Sequence, residues 1–457
     1  MPCGGGGDTG SCQSGGVPSA ADHTDETTDD DTRTLAPPAD VQRTLEAVWR
    51  MEAAKVTAVV ARVVGDVGLA EDLAQDAFVQ ALEQWPRDGI PTKPGAWLTA
   101  TARRRAIDRI RRDVNLASKL QQVGHAEELR VADLAEADFD AALEDIDDDV
   151  LGLIFAACHP VLTAQARISL TLRMIGGLTT REIARAFLTT EPTIGQRISR
   201  AKKTLSQDGV TIEVPSGAEL GPRLASVLEV VYLVFNEGYA ATTGRDWVRG
   251  DLMEEAIRLG RVLAALAPGE PEVHGLLALM EIQASRTRAR IGRDGEPVLL
   301  FDQDRTKWDW ALIRHALATL DRATALLSEP AGPGPYVLQA AIAACHARAR
   351  TADATDWSQI VALYARLGTL RPSPVIDLNR AVAMSYADGP AEALAVVDGI
   401  VAAGALADYH LLPSVRGDLL SRLGRDEEAR AEFARAAEMA QNDAEKALLL
   451  RRAAGQA

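Results

Sequence analysis

A chain of 457 residues that is 47% hydrophobic and 25% charged holds enough apolar mass for about two to four globular units, at about 150 residues each, which excludes a wholly disordered polypeptide. No run of about 18 apolar residues occurs, and the start MPCGGGGDTGSCQSGG lacks the basic and apolar stretches of a secretory leader, so the expectation is a cytoplasmic protein without a membrane span. Four cysteines (Cys3, Cys12, Cys158, Cys345), two of them in a Gly/Ser/Asp-rich tail, make neither a disulfide framework nor a two-pair zinc site.

The net charge of −16 is unevenly spread: −7 over 1–42, +3 over 43–112, −10 over 113–149, +6 over 150–207 and −8 beyond. Two basic modules are thus separated by an acidic connector and followed by an acidic half. After residue 40 apolar residues recur at spacings of three and four, and alternating runs are nearly absent, so the expected fold is all-α.

Residues 1–42 are expected to form a disordered acidic, Gly-rich tail. In the first module, 43–112, the stretch AEDLAQDAFVQALEQW (70–85) places Leu73, Ala77, Ala81 and Trp85 at i, i+4 spacing. Its other side carries Asp72, Gln75, Asp76, Gln80 and Glu83, with Val79 among them. Such an acidic face repels DNA and suits a basic protein partner; an ordinary amphipathic helix is the plainer alternative. TATARRRAIDRIRRD (99–113) follows. On a helix that begins near Trp97, its Arg104, Arg105, Arg109, Arg111 and Arg112 share one side, opposite Ala100, Ala106, Ile107 and Ile110. Only Asp108 balances the basic side, which favours nucleic-acid contact over a merely solvated face. Arg103 lands among the apolar positions and is expected to snorkel or to sit at an edge.

Residues 113–149 read as an acidic linker, and 150–208 as a second basic module. There GLTTREIARAFLTTEPTIGQRISRAKKTL (177–205) has the form of a helix-turn-helix: a capping box at Thr179 to Glu182, Pro192 in the first turn of a second helix, and a stripe of Ile194, Ile198, Ala201 and Leu205. Opposite the stripe lie Thr193, Gln196, Arg200 and Lys203, with Ser199 nearby and Arg197 and Lys202 on the flanks. Short and amide side chains for base edges, beside cations for phosphates, are what a recognition helix needs.

The breakers Gly209, Pro215, Gly217, Gly221 and Pro222 mark a linker over 209–222. In 223–457, AEALAVVDGI (391–400) aligns with EEARAEFARA (427–436) at an offset of 36, close to the roughly 34-residue tetratricopeptide period. Ala393, Val397 and Ile400 then stand opposite Ala429, Phe433 and Ala436, and Ala381 and Met384 opposite Gly417 and Leu420. EEAIRLGRVLAALAP (254–268) and IVALYARLGTLRP (360–372) have the form of second helices of such pairs, and a stacked array offers a concave face; an irregular helical domain is the alternative. FNEGY and FDQDRTKWDW are polar–aromatic clusters that suit either a small-molecule pocket or a surface turn.

Taken together, AEDLAQDAFVQALEQW, AWLTATARRRAIDRIRR and LTTREIARAFLTTEPTIGQRISRAKKTL resemble the extracytoplasmic-function (ECF) sigma factors of bacterial RNA polymerase over residues 43–207. The phrases VYLVFNEGYAAT, FDQDRTKWDW and ACHPVL are similar to a subgroup with a long tetratricopeptide-like extension. The resemblance implies core-polymerase binding through Asp72, Gln75, Asp76, Val79, Gln80 and Glu83. It implies minus-ten contacts by Trp97, Arg104, Arg105, Arg109, Arg111 and Arg112, and minus-thirty-five contacts by Thr193, Gln196, Arg197, Ser199, Arg200, Lys202 and Lys203. Core RNA polymerase and promoter DNA are the expected partners, with an unidentified protein or small-molecule ligand on the extension, and no membrane. The extension is expected to regulate, with acidic residues of 113–149 and of the region beyond 208 competing with DNA for Arg104, Arg105, Arg109 and the recognition helix. No phosphate loop, HExxH or GxSxG occurs, so no catalytic residue, cofactor or metal is expected, and Cys158-His159 reads as structural. The alternative function is a helix-turn-helix operator-binding regulator with a tetratricopeptide-like sensor.

Overall fold

The computed structural model describes residues 38–119, 146–187, 189–239, 250–290, 292, 298–328, 332–440 and 442–455. The expected tail over 1–37 and the connector over 120–145 fall outside them. The described residues are helical, joined by turns and short 3-10 segments, with no strand among them.

Three helices build the first module: α1 (Pro38–Val64), α2 (Val67–Asp88) and α3 (Pro94–Lys119). Pro38 and Pro94 open their helices, where the missing N–H costs nothing. Asp66 caps α2 by accepting the Leu69 N–H at 2.8 Å, and Gly89 ends it at φ 82°. The expected stripe of α2, Leu73, Ala77, Ala81 and Trp85, is buried against Leu45, Val56 and Val60 of α1 and Leu98 and Ala102 of α3. Each fully buried Leu or Val there stabilises by about 1.5–3 kcal/mol.

Three boundaries differ from expectation. Helix begins at Pro38 rather than after residue 42, and α3 runs through 113–119 of the expected linker. At the linker's far end α4 (Ile146–Ala157) has already begun, and its Asp149 is buried and paired with Arg62 of α1 at 3.1 Å. A carboxylate with a cationic partner can enter a core that an isolated one cannot.

In the second module α5 (Ala164–Met174) is capped by Thr163, α6 (Thr180–Ala186) carries the full Thr179/Glu182 capping box, and α7 (Glu191–Gln207) is capped by Thr190 with Pro192 in its first turn. Gly177 supplies the positive φ of 68° in the turn into α6.

The linker expected over 209–222 is held in place instead. Ile212 is buried against Gly152, and α8 (Leu220–Tyr239) already includes Gly221 and Pro222 in its first turn, where proline is tolerated. α8 is built into the second module: Val227, Val231, Val234 and Phe235 join its core, Arg223 donates to the Phe155 carbonyl at 3.0 Å, and Arg167 pairs with Glu229 at 3.1 Å. One apolar core therefore runs from Leu45 to Ala347.

Beyond α8 the chain forms α9 (Gly250–Leu266), α10 (Pro271–Ala284), α11 (Trp310–Ala325), α12 (Pro335–Arg348), α13 (Trp357–Leu370), α14 (Pro374–Ala387), α15 (Pro390–Ala402), α16 (Leu411–Arg422), α17 (Asp426–Met439) and α18 (Asp443–Ala453). The two aligned segments fall on α15 and α17, each packed against the helix that precedes it, and their matched positions are buried. A Cβ on Gly417 would come within 2.9 Å of the Phe433 ring, so the small residue belongs at that crossing. No described helix is long and apolar enough to cross a membrane.

Candidate nucleic-acid interface

The face of α7 opposite its buried stripe is open. Thr193, Gln196, Ser199, Arg200 and Lys203 are exposed, while Ile194, Ile198, Ala201 and Leu205 hold the helix to the module. The Thr193 hydroxyl lies 2.8 Å from that of Thr190, which fixes the helix N-terminus, and Val161 and Thr163 stand beside Gln196 and Arg200 along one groove. Arg197 is half-buried and donates to Gln165 Oε1 at 3.2 Å and Ser169 Oγ at 3.4 Å, so α5 sets its direction.

Lys202, expected on a phosphate, is engaged within the chain. Its ammonium meets the Glu71 carboxylate of α2, which also accepts from Arg173 Nε at 2.7 Å and from Gln75 Nε2 at 2.8 Å. Glu71 is only 7% exposed. Burial raises its pKa, but the Lys202 and Arg173 cations outweigh that and hold it below the ordinary carboxylate value. This cluster joins the two basic modules. Neither Glu71 nor Arg173 stood out in the sequence; the one available signal was a carboxylate beside the apolar stripe of α2.

On α2 itself Asp72, Asp76, Val79 and Glu83 are exposed and Gln75 and Gln80 half-exposed, as the helical projection requires. Val79 is 50% exposed beside an exposed Leu82, so the acidic face carries apolar contact area as well.

α3 differs in rotation from expectation. Its buried stripe is Leu98, Ala102 and Ala106, with Ile110 packed on it, while Ala100 and Ile107 are half-exposed. Small alanines allow close approach to two neighbours at once, so α3 settles between α1 and α2 on its alanine side. Arg104, Arg109, Arg111 and Arg112 remain exposed, and Arg103 is half-buried. Arg109 pairs with Asp113 at 2.9 Å, and Arg112 donates to the Asp108 carbonyl at 3.1 Å. Arg105, expected on DNA, donates within the chain to Asp76 at 3.3 Å and Gln80 at 3.0 Å, tying the basic helix to the acidic face. Trp97 is likewise half-buried, its ring edge-on to Trp85 at 5.5 Å.

Among the described residues the carboxylate against the recognition-helix cation Lys202 is Glu71 of the first module, while Arg109 meets Asp113 of the acidic segment and Arg185 meets Asp251 of the extension. Arg104, Arg111 and Arg200 lie open. Cys158 is buried 3.2 Å from the Thr171 hydroxyl, and burial pushes its thiol up to about 11. Among the described residues no three His, Cys, Asp or Glu side chains are placed to hold a metal ion.

Residues 48–115 match the Sigma-70 region 2 family, 153–205 the Sigma-70 region 4 family, and 223–324 a family of unknown function, DUF6596. An uncharacterised protein of Rhizobium meliloti (strain 1021) is 44% identical over 386 residues, covering 84% of this chain and 89% of its own. The ECF RNA polymerase sigma factor SigK of Mycobacterium ulcerans (strain Agy99) is 30% identical over 159 residues, 33% of this chain and 78% of that protein. The probable ECF sigma factor SigI of Mycobacterium tuberculosis (strain CDC 1551 / Oshkosh) is 26% identical over 177 residues, 37% of this chain and 57% of its own. No solved structure matches.

Proposed function

The chain belongs to the ECF family of RNA polymerase sigma factors, and from that premise we propose that it binds core RNA polymerase, reads a two-part promoter and is regulated through its helical extension. Polymerase binding falls to the α2 face of Asp72, Gln75, Asp76, Val79, Gln80 and Glu83, where exposed carboxylates and an exposed valine suit a basic, partly apolar protein surface. Thr193, Gln196, Ser199, Arg200 and Lys203 read the minus-thirty-five element, with Arg197 held beside them. Arg104, Arg109, Arg111 and Arg112 contact the minus-ten region, and Trp97 and Arg105 position that helix against α2.

In the free protein Glu71 holds Lys202 and Arg173. Promoter engagement by α7 releases Lys202 to a phosphate, a trade of one carboxylate for another anion. The observation that carries the proposal is the coexistence, in one chain, of an exposed recognition face on α7 and an exposed acidic face on α2. An operator-binding regulator has no use for the second.

The direct experiment is co-elution. Full-length chain mixed with purified core polymerase is expected to form a one-to-one complex that retains a promoter fragment, and separate elution of the two proteins at micromolar concentration would remove the proposal.

A further inference from the structure

A cavity of about 300 Å³ lies in the extension, where the segment Leu299–Arg305 meets α12, α13, α14 and α16. Three separate apolar clusters converge on it: the long core that ends at Ala347, the α12–α13 cluster around Ile342 and Ile360, and the C-terminal cluster that begins at Leu378. No side chain fills the joint. The volume is at the lower end of the roughly 300–1,000 Å³ range of small-molecule sites, enough for one or two rings.

Its wall is aromatic. Phe301, Tyr386 and Trp357 form a stack with ring separations of 5.6 and 4.3 Å at angles of 11° and 15°, and His346 stands edge-on to Trp357 at 5.1 Å. Phe301, the outer ring of the stack, is 43% exposed and leaves aromatic surface at the mouth, whereas Tyr386 is covered by its two stacked neighbours and by the Arg422 guanidinium 4.4 Å from its ring centroid. In the lining sits one polar anomaly: Thr355 is 6% exposed, and its hydroxyl has no hydrogen-bond partner. A buried hydroxyl left unpaired is costly, and a ligand atom that accepts from it removes that cost.

The charged groups of the lining are already engaged. Arg452 pairs with Asp418 at 2.5 Å, and Arg305 donates to the carbonyls of His346 and Ala349 at 2.7 and 2.5 Å. Burial, with Arg286 and Arg305 nearby, lowers the His346 pKa to about 4, so its imidazole is neutral at physiological pH. Nothing in the cavity waits for a counter-ion.

We propose that this cavity binds a small, neutral, planar aromatic molecule carrying a hydrogen-bond acceptor that meets the Thr355 hydroxyl. Bound there, the ligand bridges the three clusters and braces the C-terminal helices against the core that α8 shares with the second basic module. The binding claim stands apart from promoter recognition; only its regulatory consequence rests on that reading.

The test uses the full chain with neither polymerase nor DNA, so its outcome is independent of promoter binding. Benzamide is titrated by saturation-transfer NMR beside cyclohexanecarboxamide, benzoate and benzylamine. Benzamide is expected to bind with Kd on the order of a millimolar, as its small size dictates, and the other three at least about fivefold more weakly. Thr355→Val, which keeps the shape and removes the hydroxyl, and Phe301→Ala, at an exposed ring, are each expected to weaken benzamide by about fivefold or more. Equal binding of cyclohexanecarboxamide, tighter binding of benzoate, no binding of benzamide, or unchanged affinity in either the Thr355→Val or the Phe301→Ala chain would overturn the proposal.

Discussion

Replacing Glu71 by alanine removes the carboxylate on which Arg173, Gln75 and Lys202 converge. Hydrogen bonds to a charged group contribute about 1.5–3 kcal/mol each when the partners stay buried. Here Arg173 and Lys202 keep a quarter and a fifth of their side-chain surface, so they regain water once freed, and the net loss is set at about 2 kcal/mol. That corresponds to roughly a 30-fold fall in the ratio of closed to open arrangements of the two modules. Hydrogen exchange of the amides over 67–75 and 197–205 is the assay, with faster exchange expected at both segments together. Lys202→Met is expected to act through the same contact, so the double variant falls short of the sum by about 1–2 kcal/mol. Unchanged exchange in Glu71→Ala, or strictly additive effects, would show that Glu71 does not hold the two modules together through Lys202. The pH dependence follows from the sign of the shift. Because the folded carboxyl titrates below its ordinary value of 4.5, its contribution is fully present above that value and is lost as pH falls through the folded pKa. Protection at the two segments, taken as the ratio of intrinsic to observed exchange rate at each pH, is therefore expected to be flat between about pH 5 and 8 and to fall in more acidic buffer.

Charge reversal at Asp72 and Glu83, which leaves the Asp76–Arg105 pair intact, is expected to abolish co-elution with core polymerase without changing helix content; retained co-elution would remove the α2 face from the interface. Gln196→Ala and Arg200→Ala are each expected to cost about 1–3 kcal/mol on the preferred minus-thirty-five sequence and to relax discrimination, measured by competition between promoter variants. Uniform loss on every sequence would make them phosphate holders. Truncation after Asp208 strips Val227, Val231, Val234 and Phe235 from the shared core, so the fragment is expected to bind a hydrophobic dye and aggregate on gel filtration; a monomeric, cooperatively melting fragment would show that the second module folds without α8.

Much of this was legible in the order of residues, because burial in a helix repeats every three or four positions. The stripes of α2 and α7 and the Thr179/Glu182 capping box lie where the spacing put them. Periodicity failed on α3, where alanines scatter over most of the helix and the choice of buried side belongs to the neighbours: α1 and α2 select Leu98, Ala102 and Ala106 over Ala100 and Ile107. It also failed on Lys202, whose partner Glu71 is remote in sequence and approaches only when the two modules dock. The linker over 209–222 looked free because Gly and Pro interrupt it, yet Ile212 anchors it and proline starts the next helix. The cavity was half visible: FDQDRTKWDW contributes Phe301 and Arg305, but Thr355, Trp357 and Tyr386 come from segments that carry no sign of it. FNEGY goes elsewhere, with Phe235 in the core and Tyr239 stacked on it beneath Arg290.

Transcription from a random-sequence library placed upstream of a common reporter, with core polymerase alone and with the chain added, shows whether this chain directs core polymerase to a two-part promoter. Chain-dependent transcripts whose templates share two sequence blocks are expected, with a change of the upstream block alone when Gln196 and Arg200 are replaced. Transcripts indifferent to the chain, or an upstream block untouched by both substitutions, would contradict that role.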